Sequence, residues 1–211
     1  VAARPGPFQV RNGNGIALET LVAQAGARPV QMGNAVDEVA VLRRAIEKGL
    51  QADVLILSGG VSMGKYDLVE KVLAELGAEF FFDAVAIRPG RPAVFGRCQG
   101  KPVFGLPGNP VSTMVTFVLF VVPALDLLSG TAAPPLKIVG ARLAHALHEK
   151  GGLTHFLPAR IDWVRGEPVV AAMAWQGSGD TVTLARANAL LVVPAERPDW
   201  ETGEWAGVIP R

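Results

Sequence analysis

The stretch Val54 to Leu68, "VLILSGGVSMGKYDL", limits the fold more than any other. Val54 to Leu57 form a continuous apolar run of strand length, the pattern of a parallel strand covered on both faces by helices. Ser58, Gly59, Gly60, Ser62 and Gly64 then break the pattern, and a helix is expected from Asp67 to Leu76, closed by Gly77. In an open α/β sheet such a loop lies at the carboxyl end of a strand, where ligands bind. Glycines let backbone N–H groups approach an anion, and the helix N-terminus adds positive potential. A tight turn followed by a capping box, Asp67 with Glu70, accounts for the same residues, so the loop alone leaves both roles open.

The flanking segments extend the α/β pattern. Apolar positions Ile16, Leu21, Val22 and Ala25 predict a first helix capped by Asn14 and ended by Gly26. "RPVQM" reads as a short strand, after which Asp37 is placed to cap a helix carrying Val41, Leu42, Ala45 and Ile46 on one face. "EFFFDAVAI", "AVFGR" and "PVFGL" are three further strand candidates. The nearly all-apolar run from Val111 contains Ser112, Thr113, Thr116, Pro123 and Asp126, and falls short of the roughly 20 apolar residues of a membrane span. It is expected to be a buried core helix.

Two adjacent prolines, Pro134 and Pro135, mark a change of composition, and the boundary is expected near Ala133. Residues 1–133 read as a three-layer, mostly parallel α/β domain. Residues 134–211 read as a small all-β domain of short strands separated by Gly, Pro, Asp and Asn. Trp163, Trp175, Trp200 and Trp205 are expected to pack within it, and His145, His148 and His155 to be strand and turn residues without a metal role.

Composition removes several function classes. Twenty Lys plus Arg against 19 Asp plus Glu give no basic field for nucleic acid or an acidic membrane surface. The single cysteine, Cys98, excludes an internal disulfide framework. With no signal peptide expected in "VAARPGPFQV", the cytoplasm is the expected location.

A second loop, "GLPGNPVST" from Gly105, also runs from an apolar strand to a helix start, with Pro110 suited to the first helical turn and Asn109 to the cap. Between the two loops, "IRPGRP" spaces Arg88 and Arg91 about a Pro-Gly turn, so that both guanidinium groups can face one oxyanion or else simply be solvated.

In this order, "SGGVSMGKYD", "IRPGRP" and "LPGNPVS" resemble the molybdopterin molybdenumtransferase family, the bacterial MoeA proteins and relatives including the gephyrin E domain. "FQVRNGNG", "MGNAVDE", "LTHFLPARI" and "QGSGDTVTLARANALLVVP" extend the resemblance to the C-terminus. It implies insertion of molybdate into adenylylated molybdopterin, with a divalent cation such as Mg2+ and release of AMP. It implies that Ser58, Gly59, Gly60 and Ser62, with Pro107, Gly108, Asn109, Pro110 and Ser112, cradle the substrate. Asp67 and Asp37 are then the catalytic and metal-binding carboxylates. Arg88 and Arg91, where the family commonly has lysine, and Arg160 and Ser178 are then the molybdate-side contacts.

The resemblance also implies a homodimer in the full-length protein and partnership with other molybdenum-cofactor biosynthesis proteins. Family members carry an extended dimerising domain, an inserted domain and a first strand ending in a Thr-Gly-Asp-Glu turn upstream of this region, so the chain is expected to be a C-terminal portion, inactive alone. Gly13 stands where serine is frequent before Asn14. A related molybdopterin-binding or adenylyltransferase domain and a non-catalytic gephyrin-like scaffold are the alternatives.

Overall fold

The computed structural model describes residues 11–60, 68–132 and 136–211. Two sheets organise them. The first is built from β1 (Leu55–Ser58), β2 (Glu79–Phe82), β4 (Val94–Cys98) and β5 (Lys101–Leu106), in the order β1-β5-β4-β2. β1 and β5 pair in parallel, Ser58 opposite Leu106, so both strands deliver their following loops to the same edge. β4 and β2 add antiparallel pairings. The β4–β5 hairpin turns on Gln99 and Gly100, whose φ values of 51° and 78° give the left-handed pair that a two-residue hairpin requires.

Helices cover both faces, as the unbroken apolar run of β1 requires. On one face α2 (Val39–Gly49) and α3 (Leu68–Glu75) bring Leu42, Ile46, Val72 and Leu73 onto Leu55, Val94 and Val103. On the other, Phe104 and Leu106 meet Phe117 and Val121, with Leu18, Leu21 and Val22 of α1 (Gly13–Gln24) beside them. Alternate residues of β5 thus serve opposite layers, as the pleat demands.

The long apolar segment forms α4 (Pro110–Thr116), a π-helical turn (Phe117–Val121) and α5 (Val122–Leu128). The π turn precedes Pro123, which has no N–H to continue the ladder, and the Val122 N–H bonds Phe117 five residues back. By length and composition Pro110–Leu128 is apolar enough to cross a membrane, yet Val111, Val115, Phe117 and Val121 are sealed in the fold, as expected of a core helix. Its buried hydroxyls are internally satisfied: Thr116 donates to the Ser112 carbonyl at 2.8 Å.

The second sheet combines β3 (Ile87–Arg88), β6 (Val139–Leu143), β8 (Thr154–Val164), β9 (Glu167–Ala172), β10 (Ala189–Val193) and β12 (Trp205–Pro210), in the order β10-β12-β6-β9-β8-β3, with β10 also pairing β8. β7 (Leu147–His148) and β11 (Asp199–Trp200) form a two-stranded annex, and α6 (Thr181–Arg186) lies between β9 and β10. Phe156, Leu184, Leu190 and Ile209 pack on Val111, Val115 and Leu119, so helix α4 and its continuation serve as the common wall of both halves.

Several expectations are corrected. "RPVQM" is not a strand: Pro29 lacks an N–H, Val30 and Met32 are exposed, and no strand lies beside the segment among the described residues. Asp37 does not cap α2, which starts at Val39 after Glu38 without a side-chain cap bond. Asn12 caps α1 by accepting from the Gly15 N–H at 2.8 Å, so Asn14 lies inside the helix. Trp163 is 73% exposed and Trp205 51% exposed, the latter beneath the Arg142 guanidinium; only Trp200 and Trp175 pack on the β core. The expected start at Asp67 and the expected boundary at Ala133 lie outside the described residues.

Candidate functional site

The two glycine-containing loops meet because β1 and β5 are neighbours. Gly59 and Gly60 have φ of 79° and 68°, a conformation that glycine adopts without strain. The Gly59 N–H closes the strand end on the Leu106 carbonyl at 3.1 Å. A Cβ on Gly108 would stand 3.5 Å from the Gly59 Cα, so the two backbones are in direct contact.

Asn14 fastens this junction. From the first turn of α1 its amide nitrogen donates to the Ser58 hydroxyl at 2.9 Å, the Gly108 carbonyl at 2.8 Å and the Thr113 hydroxyl at 3.2 Å. Two protons serve three acceptors, so at least one bond is shared. Thr113 in turn reaches the Pro107 carbonyl at 2.5 Å. Asn14, expected as a cap, instead reaches Gly108, and at a separation of 94 residues no local pattern marks the contact.

The second loop is also tied to the β half. The Asn109 amide donates to the Ser178 hydroxyl at 2.9 Å, and the Val111 N–H at the start of α4 donates to the Ser178 carbonyl at 3.0 Å. The helix end is thus satisfied by another loop rather than by the Asn109 side chain, which makes no cap bond. Asp180 holds that loop in shape, accepting from the N–H of Gln176 at 3.1 Å and of Thr183 at 3.0 Å. The Thr183 N–H and hydroxyl, followed by the Gln176 N–H, keep the Asp180 carboxyl below its ordinary range.

Beyond Ser178 a cavity of about 410 Å³ opens, lined by Arg88, Glu149, His155, Leu157, Trp175, Gln176 and Gly177. β3 pairs with β8 so that Arg88 lies opposite His155. The "RPGR" turn is seated on helix α4: a Cβ at Gly90, φ 111°, would fall 2.5 Å from Thr116 Cγ2. His155 is 2% exposed, and its Nδ1 lies 2.7 Å from Glu149 Oε2. No sequence motif marks this pair, because six residues and an irregular turn separate the two.

A path of hydrogen bonds and chain neighbours therefore runs from Ser58 through Asn14, Gly108 and Asn109 to Ser178, the chain neighbour of the cavity-lining Gly177. It brings together Ser58, Gly59, Gly60, Pro107, Gly108, Asn109, Pro110, Ser178 and Arg88. Ser112 is 4% exposed and faces inward. Arg91 is exposed and is not among the cavity-lining residues. Arg160 is exposed on β8, its Nε 3.1 Å from Asp162 Oδ2, outside the cavity. Asp37 is exposed with no ion-pair partner among the described residues, and Ser62 and Asp67 lie outside them. No cluster of three or more His, Cys, Asp or Glu residues gathers among the described residues.

Comparison with known proteins bears on the family and the fold. Residues 6–127 match the family model described as "Probable molybdopterin binding domain", and residues 140–210 the "MoeA C-terminal region (domain IV)". A molybdopterin molybdenumtransferase of Nostoc sp. is 37% identical over 194 residues, 89% of this chain and 44% of the relative. One from Staphylococcus epidermidis is 30% identical over 207 residues, 96% of this chain and 49% of the relative. The crystal structure of a molybdopterin biosynthesis MoeA protein from Pyrococcus horikosii superposes with a TM-score of 0.82 at 31% identity, covering 99% of this chain and 50% of that one. A molybdenum cofactor biosynthesis protein from Pyrococcus furiosus gives 0.72 at 27% identity, covering 95% of this chain and 64% of that one. The chain spans about half the length of the curated relatives it matches, and it belongs to the molybdopterin molybdenumtransferase, or MoeA, family.

Proposed function

We propose that the protein containing this chain inserts molybdate into adenylylated molybdopterin and releases AMP. The observation that carries the reading is the continuous path joining the paired glycine loops to an arginine-lined cavity. It offers one elongated substrate an anion cradle at one end and an oxyanion pocket at the other. At the loop end, the Ser58 hydroxyl and the backbone of Gly59, Gly60 and Gly108 contact the phosphate part of the substrate. The Asn109 amide, already oriented by Ser178, can donate and accept there.

At the other end, Arg88 supplies the positive charge for molybdate, with Ser178 at the threshold. A volume of about 410 Å³ exceeds what one tetrahedral oxyanion needs and leaves room for the sulfur-bearing end of the pterin. Binding both ends at once orients the reactants, which is the main rate contribution available to a site without a protein nucleophile. The match over residues 140–210 favours insertion over adenylyl transfer alone.

Magnesium sites use one or two carboxylates together with substrate phosphates. The described residues do not gather a cage for it, so the protein would offer Asp37 and Asp67 and leave the other ligands to phosphate and water. The division near Ala133 is proposed on the same footing, supported by matches that end at residue 127 and resume at 140. A homodimer, contact with other cofactor-biosynthesis proteins and a cytoplasmic location, which the family resemblance implies, complete the reading.

The test is Asp67→Asn in the full-length protein, measured by insertion with purified adenylylated molybdopterin and Mg2+. Asparagine retains capping ability, so the melting temperature should hold while turnover falls about 100-fold or more. Turnover within twofold of wild type would remove Asp67 from the reaction.

A further inference from the structure

The pocket holds a titratable pair that the proposed reaction has not used. His155 is 2% exposed, and Glu149 Oε2 occupies its Nδ1 at 2.7 Å. With Nδ1 facing the carboxylate, Nε2 is the ring nitrogen turned away from Glu149. Every fully occluded side-chain nitrogen or oxygen among the described residues has a hydrogen-bond partner. Nε2 has none, so it is not sealed in protein; it reaches accessible space, and the space that His155 lines is the cavity.

The surrounding charges point the same way. Arg88, in register with His155 from β3, has no ion-pair partner among the described residues. From β10, the residue in register with His155 is Val193, which carries no charge. Trp175, Gln176 and Gly177 on the opposing loop are uncharged, and Glu149 is the one carboxylate lining the cavity. Arg160 on β8 is turned to Asp162, and His148 to Asp199. The cavity thus brings together one arginine without a carboxylate partner among the described residues and one carboxylate already bonded to an imidazole ring.

Resting on the oxyanion-pocket reading above, we infer that His155 is a proton-linked binding residue: it takes up a proton at Nε2 when a tetrahedral dianion enters beside Arg88. Glu149 stabilises the resulting imidazolium from behind. The proton comes from solvent, no covalent bond to the anion is made, and Nε2–H donates to an anion oxygen. Arg88 and His155 then each donate to the dianion, and the added proton offsets the charge of Glu149 so that the pocket is net positive by one. The coupling is reciprocal: anion binding raises the proton affinity of His155, and protonation raises anion affinity by the same factor.

The experiment is isothermal titration of sodium molybdate into the full-length protein from pH 6 to pH 9, in two buffers of different ionisation enthalpy, so that protons taken up per anion are counted directly. Wild type should take up close to one proton at the alkaline end and progressively fewer toward pH 6. Over the alkaline part of the range Kd should rise up to about tenfold per pH unit, the slope of one linked proton. His155→Gln should keep binding but lose proton uptake and most of the slope, and Glu149→Gln should reduce uptake at pH 8. Because the wild-type proton count needs no variant, a misfolded substitution cannot mask the answer. Binding that depends on Arg88 but shows no proton uptake, or a His155→Gln protein with an unchanged pH slope, would overturn the role of His155 and leave the pocket intact. No binding at any pH, with Arg88→Ala indistinguishable from wild type, would overturn the oxyanion pocket itself and the inference with it.

Discussion

The two ends of the site are built in different ways. At the glycine-loop end the groups proposed to face the ligand are mostly backbone, set by strand ends, positive-φ glycines and a helix start that follow one another in sequence. At the cavity end they are side chains: Arg88, Glu149, His155 and Gln176 come from four separate segments. The first end depends on local geometry, and the second on how the β half packs against helix α4. A substitution in the shared wall should therefore damage both ends, whereas charge changes in the cavity should alter affinity with little effect on the fold.

The largest effect is expected at Gly90, where the arginine turn sits on that wall. Its φ of 111° is hostile to an L side chain, and Thr116 Cγ2 would lie 2.5 Å from a new Cβ. Thr116 is buried and bonded to the Ser112 carbonyl, so it cannot easily yield. Gly90→Val should cost about 2 to 5 kcal/mol by combining backbone strain and overpacking, lowering the melting temperature by roughly 5 to 15 °C. Thermal unfolding within 1 °C or so of wild type would separate the arginine turn from the helix.

Next comes the contrast between the two arginines. Arg88→Ala should raise the molybdate concentration for half-maximal insertion by at least about tenfold, the loss of roughly one charge-assisted hydrogen bond. Arg91→Ala, outside the cavity lining, should change it by less than about threefold. Equal effects would mean that both guanidinium groups converge, as the spacing in "RPGR" allows.

Asn14→Ala should come third. Losing the amide that ties Ser58, Gly108 and Thr113 should lower stability by about 1 to 2 kcal/mol, with turnover falling about tenfold because the loops lose their relative placement. A change in stability with full turnover would make Asn14 a purely structural clasp.

The same contrast governs what the sequence reveals. Strand β1, the ending of α1 at Gly26, the ending of α3 at Gly77 and the core character of α4–α5 are all legible, because each is fixed by local periodicity or one glycine. "RPVQM" misleads since its apolar residues find no partner strand and stay exposed. Asp37 misleads because a capping residue type does not ensure a helix start, and Asn14 because its partners lie 44, 94 and 99 residues away. Among the arginines, motif matching links Arg88 with Arg160, yet Arg160 lies beside Asp162, two residues along the same strand, and outside the cavity lining. The Glu149–His155 pair has no motif at all; it exists only once β3, β8 and the turn before β8 are folded together.

The smallest effect concerns Asp180, which shapes the loop between the two ends. Its carboxyl is held below its ordinary range by the Thr183 N–H and hydroxyl and by the Gln176 N–H. A lowered folded value means the stabilisation is complete above the unfolded carboxyl's titration near about pH 4, and is lost as pH falls through the lower folded value. Wild type and Asp180→Ala should therefore differ in melting temperature at pH 6 and converge toward pH 3. A difference that grows on acidification would contradict the assignment.

The central claim, that one path joins the glycine loops to an oxyanion pocket, is tested most directly by anomalous diffraction at the molybdenum edge from crystals of the full-length protein grown with molybdate. The account predicts a single strong peak inside the cavity, within hydrogen-bonding reach of Arg88 and near the 176–178 loop, absent from crystals of Arg88→Ala. A fully occupied peak elsewhere with this cavity empty, or one unchanged in Arg88→Ala, would contradict it.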